Sequence, residues 1–108
     1  MIQKKEGTLN IGILKEHLEV LERHLLILQV LQKNQPAGLL KLSELTNYPY
    51  YKVRCSLLAL EKEGLVEPTH KGTIVTVDVK KIITLLTTEL KEINKINKTI
   101  NGLVKKIE

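Results

Sequence analysis

The sequence of 108 residues contains few aromatic side chains: it has three tyrosines, and it has neither phenylalanine nor tryptophan. A folded core must therefore be built from leucine, isoleucine and valine. A single cysteine, Cys55, excludes an internal disulfide and is typical of a reducing, cytoplasmic location. The longest apolar run, Leu25 to Leu28, is far shorter than the ~18 residues of a membrane span, and we expect neither a signal segment nor membrane binding.

Charge is spread along the chain. Apolar residues make up 43% and charged residues 27% of the sequence, which is typical of a folded domain. The net charge of +5 divides into +1 for residues 1–35, +1 for residues 36–77 and +3 for residues 78–108. This mild excess is compatible with nucleic-acid binding but does not require it.

The first helix is predicted from Ile11 onward, with Asn10 as its N-cap. Its stop signal is Asn34, which is followed by Pro36. Apolar residues recur at alternating steps of three and four, which is a heptad pattern: Ile11, Leu14, Leu18, Leu21, Leu25 and Leu28. We expect the first half of this helix to pack on a partner helix and the second half to be buried in a globular domain.

Two further helices follow. Residues 42–45 are predicted to form a short helix, with Ser43 as its N-cap. A third helix is predicted over Pro49–Glu63, with proline at its first position. Gly64 supplies a left-handed C-terminal cap. The buried face of the third helix is predicted from helical spacing: Val53, Leu57 and Leu60.

A β-hairpin is predicted after the third helix. Leu65–Glu67 and Thr73–Val77 read as short strands, and β-branched residues dominate the second one. The five polar residues between them include a glycine, as hairpin loops commonly do.

A long final helix is predicted from an N-cap at Asp78, with a length of about 45 Å. One apolar stripe passes through Asn97, where an asparagine in the seam would select register and a dimer. A second stripe overlaps the first, and on that alternative Asn97 is peripheral. Because the helix is too long for this domain to cover, we expect a homodimer, with these dimerisation residues in the two terminal helices: Ile11, Leu14, Leu18, Leu21, Leu86, Leu90, Ile93, Asn97, Ile100, Val104 and Ile107.

Three segments of the chain together resemble archaeal and bacterial winged helix-turn-helix transcriptional regulators. They are the run Leu42-Ser43-Glu44-Leu45, the run from Tyr48 to Arg54, and the ending Leu60-Glu61-Lys62-Glu63-Gly64-Leu65-Val66. The resemblance implies a mainly α fold with a small β-hairpin, with the winged domain over residues 19–78. Residues 1–18 extend the first helix, and residues 79–108 form a coiled-coil-like dimerisation helix. It further implies sequence-specific binding of double-stranded DNA as a homodimer.

On that resemblance the DNA-binding residues lie on the third helix and on the hairpin, with one further contact before the short helix: Lys41, Tyr50, Tyr51, Lys52, Arg54, Ser56, Thr69, His70, Lys71 and Thr73. The alternative is a winged-helix module that binds only proteins, since fold does not dictate function. We expect no enzyme activity, no cofactor and no metal site. His17 and His24 are interpreted as flanking surface residues, and Cys55 as a partly buried thiol.

Overall fold

The computed structural model describes residues 11–76 and 79–108. The chain divides into two compact units, Met1–Val77 and Asp78–Glu108. The first unit contains three helices, α1 (Ile11–Asn34), α2 (Leu39–Thr46) and α3 (Tyr50–Lys62), followed by strands β1 (Val66–Thr69) and β2 (Gly72–Val75). The second contains helix α4 (Val79–Ile107). The prediction of a mainly helical protein with a small antiparallel hairpin is confirmed, while the predicted caps Asn10 and Asp78 lie outside the described residues.

The core of the first unit is aliphatic, as the scarcity of aromatic residues requires. The second half of α1 supplies Ile27, Leu28 and Leu31, and it packs against α2, α3 and the hairpin. Among the predicted inward positions of α3, Val53, Leu57 and Leu60 are all buried, which confirms the helical spacing. The remaining buried members are Ala37, Leu42 and Val66.

Helix α2 is longer than predicted, and its predicted cap is wrong. The helix begins at Leu39 after Gly38, whose carbonyl accepts a hydrogen bond from the Leu42 amide at 3.0 Å. Ser43 lies inside the helix, where its hydroxyl donates to the Tyr48 carbonyl at 2.6 Å. The helix ends at Asn47, which has a left-handed conformation with φ 66°, and asparagine tolerates this conformation better than most residues.

Helix α3 is one residue shorter than predicted at each end, because Pro49 and Glu63 are its caps and not helical residues. Pro49 is the N-cap rather than the first helical residue, because its ψ of 152° is extended. At the other end Gly64 has φ 77°. Its amide donates to the Glu61 carbonyl, and the Leu65 amide donates to the Leu60 carbonyl, both at 2.9 Å. This pair of bonds is a Schellman motif, which confirms the left-handed glycine cap.

The hairpin is tighter than predicted. Its strands extend into the predicted five-residue loop, so that Thr69 pairs with Gly72 across a two-residue turn. The first strand starts later than predicted, at Val66, because the Schellman motif already uses the Leu65 amide. The second strand ends at Val75 rather than at Val77, which lies outside the described residues.

A short stretch before α2 adds to this hairpin. The Ala37 amide donates to the Thr73 carbonyl at 3.1 Å, and the Thr73 amide donates to the Ala37 carbonyl at 2.9 Å. Gly72 makes this approach possible: its φ is 133°, and a Cβ there would lie 2.8 Å from the Ala37 nitrogen. Thr73 directs its amide and carbonyl to Ala37 and therefore away from Pro68, its partner in β1. Pro68 thus lies at a position of the β1–β2 ladder where no N–H is needed.

The second unit is a single amphipathic helix. From Lys80 to Ile107 no side chain of α4 is buried, and Ile82 and Leu86 are half-buried. Large apolar side chains are exposed along the whole helix, from 39% at Ile93 to 84% at Ile107. Among the described helices, none combines the length and the apolarity needed to cross a membrane.

Candidate nucleic-acid interface

The start of α3 carries three exposed residues of the predicted DNA-binding set. Tyr50 and Tyr51 are 47% and 64% exposed, and Arg54 is exposed on the next turn. These three side chains fall within about 100° of the helix circumference, outside the face that buries Val53, Leu57 and Leu60. The first amides of a helix lack intrahelical acceptors, and the helix dipole makes this end favourable for an anion. The arrangement can therefore offer a guanidinium, two phenol groups and a helix N-terminus to one ligand.

Lys52 lies on a different side of α3 from Arg54. It is half-buried and lines a groove of about 450 Å³ with Tyr48 and the first half of α1. The groove lining contributed by α1 is mostly acidic and consists of Glu16, Glu19, Val20, Glu22 and Arg23. The Lys52 side chain thus shares its groove with three glutamates, whose charge weakens its attraction for a phosphate.

Ser56 is fully buried and does not face outward, so its prediction as a DNA-binding residue is wrong. Its hydroxyl accepts a hydrogen bond from Nε of Arg23 at 2.8 Å and lies 2.8 Å from Nδ1 of His24. Since the hydroxyl has one proton, it can donate that proton to Nδ1 when His24 is neutral. The three side chains form a polar clamp between α1 and α3, which we call the Arg23–Ser56–His24 clamp.

The environment of His24 favours its neutral form. Burial lowers the pKa of His24 below its ordinary value, and the charge of neighbouring Arg23 lowers it further. Its interpretation as a flanking surface residue is therefore wrong, since it is half-buried and bonded to α3. A serine beside a histidine is also the pairing of a nucleophile with a base, but a fully buried hydroxyl is out of reach of a substrate.

The clamp was not predicted, although part of its signal is in the sequence. Ser56 lies three residues after Val53 and four before Leu60, so it belongs to the buried stripe of α3. A serine on such a stripe requires a hydrogen-bond partner once it is buried. The partners Arg23 and His24 are 33 and 32 residues away in the chain, and no local pattern identifies them.

The tip of the hairpin carries the remaining predicted residues. Thr69, His70 and Lys71 are exposed. The Thr69 hydroxyl donates to the Gly72 carbonyl at 2.5 Å and accepts a hydrogen bond from the Lys71 amide at 3.2 Å, so it stabilises the turn. Thr73 is half-buried, and Ala37 occupies its backbone groups. Lys71 and His70 are therefore the tip's available donors.

Two other predicted residues are exposed. Lys41 lies near the start of α2. Cys55 follows Arg54 on α3 and is exposed, so its interpretation as a partly buried thiol is wrong. Within the described ranges, no group of three histidine, cysteine, aspartate or glutamate side chains is arranged to hold a metal ion.

Most of the predicted dimerisation residues are exposed, so that both terminal helices present apolar side chains at their surface. In α1, Leu14 and Leu18 are exposed and Leu21 is half-buried. The side chain of Ile11 lies outside the described part of the chain. In α4, Leu86 is half-buried, and the others are exposed: Leu90, Ile93, Asn97, Ile100, Val104 and Ile107.

No protein-family model matches this chain, and a search of curated proteins finds no similar sequence.

Proposed function

We propose that the protein is a winged helix-turn-helix transcriptional regulator that binds double-stranded DNA as a homodimer. The observation that carries the proposal is the exposed start of α3, where Tyr50, Tyr51 and Arg54 share one face beside an antiparallel hairpin. The order of three helices and a hairpin, with Ala37 paired to Thr73, supports the winged-helix interpretation. In that architecture the third helix enters the major groove and the hairpin approaches the backbone.

Within this proposal the residues have different roles. Arg54 reads base edges, because a guanidinium can bond to two acceptors of a guanine. The tyrosine hydroxyls and Lys71 contact phosphates, which position the protein without reading sequence. Ser56 is not a contact residue; it fixes α3 against α1 through the clamp. A binding function, and not catalysis, suits a chain whose neighbouring serine and histidine are used in packing.

The homodimer is supported by the uncovered apolar faces of α1 and α4. A second copy of the chain has the same apolar faces, and each of them can pack against an apolar face of its partner. Two α3 helices then bind half-sites about 34 Å apart in successive major grooves.

One observation favours the alternative, a protein-binding adaptor. Glu16, Glu19 and Glu22 line the groove beside Lys52, and they lower the positive potential next to the start of α3. Leu40 and Leu58 are also 71% and 50% exposed, respectively, and exposed apolar side chains are common where proteins bind proteins.

The two candidate functions are separated by DNA binding of matched variants of the full chain. Selection from random duplexes of about 30 base pairs, enough for two half-sites, provides the best sequence, and fluorescence anisotropy then measures affinity. We expect Arg54→Ala to weaken binding by about 1–3 kcal/mol. Lys62→Ala removes a cation from the other end of α3 and should change the dissociation constant less than about threefold, as phosphate-distant charges do.

Lys52→Ala should have a smaller effect than Arg54→Ala, because Glu16, Glu19 and Glu22 line the same groove as Lys52. Retention of full affinity by the double variant Lys52→Ala, Arg54→Ala would reject recognition through α3, and absence of duplex binding by wild type would reject the DNA-binding proposal in favour of the adaptor. Circular dichroism of each variant checks that the helices remain folded.

A further inference from the structure

Helix α4 segregates charge as well as apolarity. Its seven lysines all fall within about 120° of the helix circumference at 100° per residue, whereas its isoleucine, leucine and valine side chains occupy another ~160°. Glu89 and Glu92, the two acidic residues of α4, lie outside the lysine sector. The lysine sector therefore has a single sign of charge along its length: Lys80, Lys81, Lys91, Lys95, Lys98, Lys105 and Lys106.

The centre of this sector holds three lysines that lie away from the last turn and close to one another. Lys105 and Lys106 lie in the last turn, where cations complement the helix dipole. Lys91, Lys95 and Lys98 lie in the middle, at spacings of four and three that bring like charges together and destabilise a helix. All three are exposed, and none forms an ion pair within the described residues. We call these three residues the mid-helix lysines.

We propose that the mid-helix lysines form a second nucleic-acid contact, which binds the phosphate backbone without reading its sequence. The inference adds a contact to the proposed function and rests on it for the identity of the polyanion. Lys91 and Lys98 are about 10 Å apart along the helix axis, and duplex DNA carries a phosphate charge every ~1.7 Å of its axis. Several phosphates are therefore within reach of the three ammonium groups together.

A nucleic acid fits this face better than an acidic protein does. Lysine is depleted at protein interfaces, where aromatic residues, methionine and arginine are enriched. The lysine sector of α4 contains no aromatic residue and no arginine to anchor a protein partner. Phosphates require only point charges and hydrogen-bond donors, which lysine supplies.

A lipid surface fits less well because the apolar side of α4 is interrupted by Glu89 and Asn97, which are costly in contact with acyl chains. The mid-helix lysines lie on the side of α4 opposite its apolar face, an arrangement that helices at a bilayer surface share, so the interruption of the apolar side is what disfavours the lipid. When another helix covers the apolar side instead, the lysines remain accessible to DNA.

The test compares four forms of the full chain: wild type, a mid-helix triple variant, a charge-matched control and Arg54→Ala. The mid-helix triple variant combines Lys91→Gln, Lys95→Gln and Lys98→Gln. The control combines Lys15→Gln, Lys33→Gln and Lys62→Gln. Anisotropy with duplexes of arbitrary sequence is measured over a range of salt concentrations. For the mid-helix triple variant we expect at least a ~10-fold loss of affinity at low salt and a salt slope that is smaller by about 2–3, which corresponds to three lost phosphate contacts. The control should lose less than about threefold.

Circular dichroism checks that unfolding does not explain such a loss, since removal of the repulsion among these lysines is expected to leave α4 at least as helical. Equal losses in the triple variant and the control would overturn the inference, since net charge alone would then account for binding. Binding of wild type to vesicles of phosphatidylglycerol and phosphatidylcholine, lost in the triple variant and without any duplex binding, would overturn it in favour of a lipid surface.

The Arg54→Ala variant separates this inference from the proposed function. On the duplex selected for its sequence, where Arg54 is expected to read base edges, a loss confined to the mid-helix triple variant would support the second contact and reject the role of α3. A loss confined to Arg54→Ala would support the role of α3 and reject the second contact. Absence of duplex binding by wild type, at low salt, would reject both.

Discussion

Leu31 of α1 and Leu90 of α4 are both leucines on the apolar stripe of their helix, but their surroundings differ. Leu31 is fully buried among side chains from three helices and the hairpin, whereas Leu90 is 40% exposed. The first unit has enough elements to enclose one aliphatic core. The second unit is one helix, and a single helix cannot enclose its own apolar face.

This difference shows where stability is generated in the chain. A leucine that is enclosed contributes both its transfer from water and its packing. An isolated helix in water is only marginally stable even when its sequence favours helix. Whatever covers α4 therefore contributes to the stability of α4, whereas the core of the first unit is complete within one chain.

The largest expected effect is that of Leu31→Ala, which should lower the free energy of unfolding by about 2–5 kcal/mol. Leu90→Ala is its matched control and should cost less than ~1 kcal/mol in dilute protein, as exposed substitutions do. Urea denaturation at low and high protein concentration measures both. If a second copy covers α4, the cost of Leu90→Ala rises with concentration while that of Leu31→Ala does not. Equal costs in dilute protein would contradict the comparison between the two units.

Glycine-to-alanine substitutions should have opposite signs in the two units. Gly72→Ala is expected to destabilise the protein by about 1–3 kcal/mol, because the new Cβ meets the Ala37 backbone and φ is positive. Gly102 lies within α4 with nothing within 4 Å of an added Cβ. Gly102→Ala should therefore raise the stability of α4 by up to ~1 kcal/mol through helix propensity.

Thermal unfolding followed by circular dichroism measures both effects. A Gly72→Ala protein as stable as wild type would show that the hairpin can move away from Ala37 without cost.

The smallest expected effect is a pH dependence that belongs to the first unit. The pKa of His24 is lowered in the folded state, mainly by burial and also by Arg23. The unfolded chain therefore binds more protons than the folded chain as the pH falls below about 6.5, the ordinary pKa of histidine. The contribution of neutral His24 to the free energy of unfolding is complete above that pH. It is lost as the pH falls through the lowered pKa of His24 in the folded state.

In wild type, the free energy of unfolding should decrease as the pH is lowered across this range. His24→Asn keeps an acceptor near the Ser56 hydroxyl and cannot titrate there, so its curve should be flatter. An identical slope in both proteins would assign the pH dependence to other groups. Because α4 contains no histidine, it offers no such group in the same range.

The sequence is sufficient to predict elements whose signals are local. The buried face of α3 follows from the spacing of Val53, Leu57 and Leu60, and its end follows from Gly64, since both depend on neighbours within two helical turns. The long amphipathic pattern of α4 is equally local. These features could be predicted because chain geometry alone places such residues on one side of a helix.

Features that depend on distant partners could not be predicted in this way. The outward assignment of Ser56 failed because its partners Arg23 and His24 are on another helix. The limits of the hairpin depend on the Ala37–Thr73 pairing and on the amide of Leu65, which the helix cap already uses. Lys52 lies in an acidic groove only because α1 packs beside α3. The exposed part of the candidate site, Tyr50, Tyr51 and Arg54, was predicted because exposure follows from the helical period.

Pro68 has a consequence for the behaviour of the protein at high concentration. Thr73 and Ala37 cover one side of strand β2, so the outer edge of β1 is the side on which another β-strand could add. Proline has no amide hydrogen to offer there, and the neighbouring Glu67 places a charge on the same short strand. The hairpin therefore resists edge-to-edge aggregation, and self-association is directed away from the sheet.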